Sequence, residues 1–209
     1  LPAIFGWYWG TGPIARLDRL IFGIHPTIWF QQWYKPWLNE IMHFFYFAYY
    51  SLFLFIPLHF LFRKKIKEAY AVFSLTTFTY LSNYAVFFLM PVLDPQATPL
   101  IQVLQYKENT GYLFDWINSV IQLTSGVAGA AFPSSHVAGA LVWILAVWRY
   151  SHKVGLLLSP IPLGIGISTV YLGIHHAVDP IAGYIWGVIC FIIAVKLIKK
   201  RGEDPLTCP

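Results

Sequence analysis

His175 and Asp179 are the residues of this chain best placed to do chemistry. They stand four apart in the stretch STVYLGIHHAVDPIAG, residues 168–183, and that spacing puts two side chains on one face of a helix. A carboxylate so placed accepts a hydrogen bond from one ring nitrogen. That bond fixes the tautomer and leaves the other nitrogen as a base or a nucleophile. A second stretch, FPSSH at 132–136, sets small hydroxyls and a histidine at the opening of another apolar run. Two helix N-termini, each with a histidine, make a phosphate site, because free N–H groups and the helix dipole both favour an anion.

The elements that must hold these residues are membrane helices. The composition is 57% hydrophobic and only 11% charged, against about 25% charged residues in a soluble domain. The predicted fold is all-α: a polytopic transmembrane helical bundle forming a single membrane-embedded domain over residues 1–209. The net charge of +5 is not a nucleic-acid footprint, because the lysines and arginines are confined to short clusters between apolar runs, as flanking anchors are. Cys190 lies inside an apolar run and Cys208 near the end; no metal-ligand spacing is present, and no metal or other cofactor is expected.

In chain order, residues 1–37 mix tryptophan, tyrosine, proline and a few charges, which suits the headgroup layer, and predict an interfacial segment with one or two short helices. Apolar runs near 41–62, 69–92, 134–150, 154–174 and 177–198 approach the ~20 residues a spanning helix needs. Residues 94–133 predict a polar loop carrying a surface helix around 112–124. Five spans divide the 14 lysines and arginines unevenly. Arg63, Lys64, Lys65, Lys67, Arg149, Lys153, Lys196, Lys199, Lys200 and Arg201 share one side; Arg16, Arg19, Lys35 and Lys107 share the other. The positive-inside rule makes the first side, with the C-terminus, cytoplasmic. Both histidine motifs then face the periplasm, exterior or lumen of a cell or inner membrane.

The motifs resemble signatures of the type-2 phosphatidic acid phosphatase (lipid phosphate phosphatase) superfamily. Pro133-Ser134-Ser135-His136 is similar to its second signature, Pro-Ser-Gly-His. Ser168, His175 and Asp179 fall at the spacing of its third, Ser-Arg, five residues, His, three residues, Asp. The resemblance covers roughly residues 70–190. The double histidine at 175–176, Phe132-Pro133-Ser134 and an N-terminal Asp18-Arg19-Leu20-Ile21-Phe22-Gly23 look closest to the inositol phosphorylceramide synthase branch. Three departures stand out: Thr169 replaces the third-signature arginine, Ser135 replaces the glycine, and the Lys/Arg-Pro first signature is absent near Asp94-Pro95-Gln96. Members have six spans, so a sixth is expected before residue 1.

The resemblance implies a metal-independent membrane enzyme acting on a lipid phosphate in the bilayer. His175 would be the nucleophile, forming a phosphohistidine, with Asp179 orienting its ring. His136 would protonate the leaving oxygen and then activate the acceptor. Ser134, Ser135 and the amides opening their helix would hold phosphoryl oxygens, and Asn83 and Gln96 are candidates to replace the missing cations with neutral donors. His176 points about 100° from His175 on a helix and is expected to face a neighbour or a headgroup; His43 and His59 are expected to sit in polar contacts between helices, and Lys107 in solvent. Three functions remain open: lipid phosphatase, phosphotransferase moving a headgroup between lipids, and a non-catalytic lipid-binding relative. The sequence leans to the phosphatase, because water needs no dedicated pocket.

Overall fold

The computed structural model describes residues 7–99, 111–125, 128–200 and 206, and Lys107 and Cys208 fall outside them. The chain is a helical membrane bundle. Two short helices come first, α1 (Thr11–Phe22) and α2 (Pro26–Gln31). Gly23, at φ 71°, closes α1 in the left-handed region, where glycine carries no Cβ penalty. Leu17, Leu20 and Ile21 are exposed on α1 while Ile14 and Asp18 are buried, the two-sided pattern of a helix lying at an interface.

The long helices follow. Helix α3 (Pro36–Phe62) begins within the stretch expected to be interfacial: Lys35 is extended and Pro36 opens the helix, where its missing N–H is no loss. A tight turn at Arg63–Lys65, with Lys64 at φ 56°, reverses the chain into α4 (Ile66–Leu89). A short 3-10 helix covers Pro95–Ala97. The surface helix is α5 (Leu113–Ser125). It exposes Leu113, Trp116, Val120 and Leu123, a 3–4 repeat that makes one apolar stripe. The Glu40 carboxylate of α3 accepts from the amides of Tyr112 (2.8 Å) and Phe114 (2.7 Å) and so caps α5.

Helix α6 (Ser135–Tyr150) is the hub. It has 16 residues, and Val137 to Ala140, Val142 to Ile144, Ala146 and Val147 are all buried, so it is enclosed on every side. Around it pack α3, α4, the broken pair α7 (His152–Leu158) and α8 (Pro160–Tyr171), and α9 (Val178–Lys200). Trp143 of α6 is sealed in the core and donates its indole N–H to Thr76 Oγ1 at 2.8 Å. Among the described residues, α3, α4, α7–α8 taken together and α9 are long and apolar enough to cross a membrane. Their outer faces expose Phe53, Phe55, Phe73, Phe88, Ile185 and Ile189, as lipid contact requires. The Cβ that a larger residue would carry at Gly183 would stand 2.6 Å from Ser134 O, and at Gly187 3.0 Å from Ala138 O. These two glycines, one turn apart, let α9 lie backbone-to-backbone on α6.

The fourth apolar run differs from expectation. It is interrupted at Ser159–Pro160 and stops at Tyr171 rather than near Ile174. Gly173 (φ 73°) turns the chain out of the helix, and Ile174 N and His175 N both donate to Thr169 O (2.9 and 3.1 Å). His175 and Asp179 therefore do not share a helix: His175 sits in the turn and Asp179 in the first turn of α9.

Candidate active site

The close crossing of α6 and α9 brings the two histidine motifs together. Ser134 caps α6, its Oγ accepting from Val137 N, and its own amide donates to Asp179 O at 3.0 Å. The start of one motif is thereby bonded to the backbone of the other. Asp179 Oδ2 accepts from His176 N at 2.9 Å, and His175 Nδ1 lies 3.3 Å from the same oxygen. With its proton on Nδ1 and donated to Asp179, His175 has a lone pair on Nε2. That atom lies 3.0 Å from Ser134 Oγ, whose hydroxyl donates to it, and 3.3 Å from His136 Nδ1.

Burial pushes the His175 imidazole down to about 4, with the Asp94 carboxylate pulling the other way. The ring is 2% exposed, and in so dry a place the charged form is disfavoured. A neutral imidazole with one oriented nitrogen free is the form that attacks an electrophile.

Aromatic side chains wall His136. Tyr46 O–H is 3.4 Å from its Nε2, and the rings of Tyr46 and Tyr49 lie 5.3 and 4.6 Å from its centroid. Both tyrosines come from α3, and Tyr49 is tied in turn to Tyr80 of α4 through their hydroxyls.

Of the residues expected at the site, the structure thus gathers His136, His175, Asp179 and Ser134. Ser135 is the first residue of α6 beside them. Gln96 braces the catalytic turn instead of pointing donors at the histidines: its side-chain amide donates to Leu172 O and its backbone N–H to Gly173 O (3.2 Å). Asn83 is fully buried on α4 and donates to Thr79 O at 3.1 Å; neither Ser134 nor a histidine is its partner. Thr169 turns its hydroxyl back on Gly166 O at 2.9 Å. His43 is buried against α5, as the polar residue between helices it was expected to be.

Sequence reasoning missed Asp18. Its carboxylate reaches the start of α9, accepting from Ala177 N (3.0 Å) and Val178 N (2.9 Å), and it lies 3.7 Å from His176 Nδ1. The available signal was an acidic residue on the buried side of an amphipathic helix, one turn after Ile14.

The sequence profile of the PAP2 superfamily matches residues 12–193. The chain belongs to the PAP2 superfamily. No curated protein matches it. The crystal structure of Aquifex aeolicus LpxE superposes with a TM-score of 0.58 at 19% identity, over 87% of this chain and 93% of that one, a likeness of fold. Membership and fold together support a phosphatase of membrane lipid metabolism that is integral to the bilayer.

Proposed function

We propose that this protein is a lipid phosphate phosphatase that works through a phosphohistidine on His175. The observation that carries the reading is the free Nε2 of His175, buried and oriented, facing Ser134 Oγ and His136 Nδ1. Nε2 attacks phosphorus, the bond from phosphorus to the lipid oxygen breaks, and His136 gives that oxygen a proton. The anionic phosphate itself favours the imidazolium form of His136 on arrival. Water then attacks the phosphohistidine, passing a proton to His136, and inorganic phosphate leaves. Asp179 holds the Nδ1 proton throughout. Ser134, Ser135 and the amides opening α6 hold phosphoryl oxygens as charge develops. No step calls for a metal.

The site faces outward in this reading. Helices α6 and α9 both start at the site, and their other ends carry Arg149, Lys199 and Lys200. Lys65 of the α3–α4 turn stands 4.5 Å over the Tyr150 ring at that same opposite end. In a cysteine-free background, an impermeant thiol reagent applied to intact cells should label a cysteine placed at Ala97 and miss one at Lys64; the reverse pattern would turn the site inward.

A second reading is transfer of the phosphoryl-bearing group to a lipid alcohol, as in the inositol phosphorylceramide synthase branch. Thr169 favours it, because a diester with one negative charge has less need of the arginine a monoester dianion would use. One experiment separates the two. A phosphorus-labelled lipid donor is supplied with inositol, glycerol and other lipids, and the label is followed. Label in inorganic phosphate supports the phosphatase; label in a new phosphodiester lipid, with little free phosphate, establishes the transferase. A pure folded protein inert toward every donor would point to a lipid-binding relative.

A further inference from the structure

Asp18 is a carboxylate held out of water, 1% exposed, on the buried side of α1. Each of its oxygens is used. Oδ1 accepts from Val178 N and Oδ2 from Ala177 N, across 160 and 159 residues of sequence. These are the amides at the opening of α9, where the helix has no partners of its own for them and its dipole favours a negative charge. Other backbone bonds hold the same layer: Gly10 N donates to Pro91 O (3.3 Å) and Ala131 N to Val92 O (3.1 Å). Leu93 N donates to Thr11 Oγ1 (3.0 Å). Asp18 is the charged member of this layer and the one that touches the catalytic turn.

We propose that Asp18 is a positioning residue for phosphoryl transfer: its carboxylate, carried by α1, fixes the turn that presents His175 and His176. The inference rests on the phosphoryl-transfer reading above. His176 is 2% exposed, and its Nε2 has no hydrogen-bond partner. The groups facing its ring are Asp18 from α1, Asp179 from α9, His25 from the α1–α2 connection, the neighbouring His175, and the Leu93 carbonyl. Burial opposes a charge on His176, but the Asp18 and Asp179 carboxylates outweigh it and hold the imidazole above its ordinary value. The pair therefore sets a positive charge beside the nucleophile of a site whose third-signature arginine is Thr169. A phosphate dianion drawn to His175 meets that charge.

The sign of the pH effect follows. A group with a raised value keeps its proton to higher pH, so His176 supports phosphate binding at low and neutral pH and stops doing so as pH rises through its value. The full chain, purified in detergent and returned to vesicles, is assayed on a phosphorus-labelled lipid phosphate across pH. Asp18→Asn keeps one carbonyl oxygen for the amides and loses the charge. It should lower kcat/KM about tenfold and move the alkaline limb of its pH profile down by roughly one unit. Asp18→Ala loses both and should cost about a hundredfold. Loss of cap alone would leave the limb in place, so its movement separates positioning with charge from scaffolding. His176→Gln, which leaves the Asp18 cap intact and does not depend on Asp18 variants folding, should abolish the limb. An Asp18→Asn protein within twofold of wild type, or a His176→Gln protein that retains the limb, overturns the inference while active wild type leaves the phosphatase reading intact. A wild-type protein that turns over no lipid phosphate overturns both.

Discussion

Two places in this molecule bury a histidine against an aspartate, and they serve different ends. Between α6 and α9, His175 Nδ1 lies 3.3 Å from Asp179 Oδ2. Between α3 and α5, His43 Nε2 lies 3.2 Å from Asp115 Oδ1. Both rings are 2% exposed. The difference lies in the second nitrogen. His43 Nδ1 is 3.1 Å from Asn118 Nδ2, and Asn39 donates to the other Asp115 oxygen at 3.2 Å, so the cluster closes on itself and pins α5 to α3. His175 keeps Nε2 for a hydroxyl and a second imidazole, partners that a phosphoryl group can replace. A histidine–carboxylate distance does not by itself mark a site; the nitrogen left over does.

The strongest way to break this comparison is to exchange the rings. His175→Asn should reduce turnover by at least ~10⁴-fold, the scale of losing a member of a catalytic unit, with an unchanged melting temperature in detergent. His43→Asn should do the reverse, lowering the melting point and sparing the chemistry of whatever protein stays folded. Equal activity in the two variants would abolish the distinction. Asp179→Asn should cost less, about 10²-fold in kcat, because the ring is still held but in a poorer tautomer; an acid-labile, alkali-stable phosphoenzyme should still form, more slowly.

Smaller effects sharpen the contrast. Asp115→Ala leaves His43, Asn39 and Gly111 N facing an empty acceptor position and should cost about 3 kcal/mol, read as a drop of some 6–12 °C in melting temperature. By imidazole ¹⁵N resonances, His175 should titrate near pH 4, since burial penalises its charged form. It is thus the neutral base throughout the range from pH 5 to 8, and a midpoint near the ordinary histidine value would contradict the enclosed geometry. The smallest expected effect is none: chelator should leave the rate unchanged, and loss of activity restored by magnesium would require a metal step.

The sequence displayed the motifs because each is local. Ser134 to His136 and His175 to Asp179 are close in the chain, and the bilayer demands long apolar runs that leave polar residues conspicuous. What it hid is what the fold joins from afar. Asp18 meets Ala177 across 159 residues, and His43 meets Asn118 across 75; no spacing announces either. Gly173 was legible as a helix stop, and reading it so would have moved His175 off the helix. Asn83 and Gln96 were chosen by side of the membrane, which says nothing of direction. One turned to its own helix and the other to the turn it supports.

The meeting of Tyr46 with His136 also measures depth. Tyr46 lies ten residues into α3, so at 1.5 Å per residue the reactive nitrogen sits about 15 Å down the axis from that helix's outer tip. The overhang carries Glu40 and, on it, the amphipathic α5, whose exposed leucine and tryptophan stripe seeks the level of the lipid headgroups. Helix α3 is in this sense a sounding line: its upper turns float at the headgroup level and its tyrosines touch bottom at the histidines. The distance a phosphate must sink from its own leaflet before it can react is thereby set in whole helical turns, and a deletion of one turn above Tyr46 would lift the headgroup anchor toward the chemistry by one pitch, about 5.4 Å.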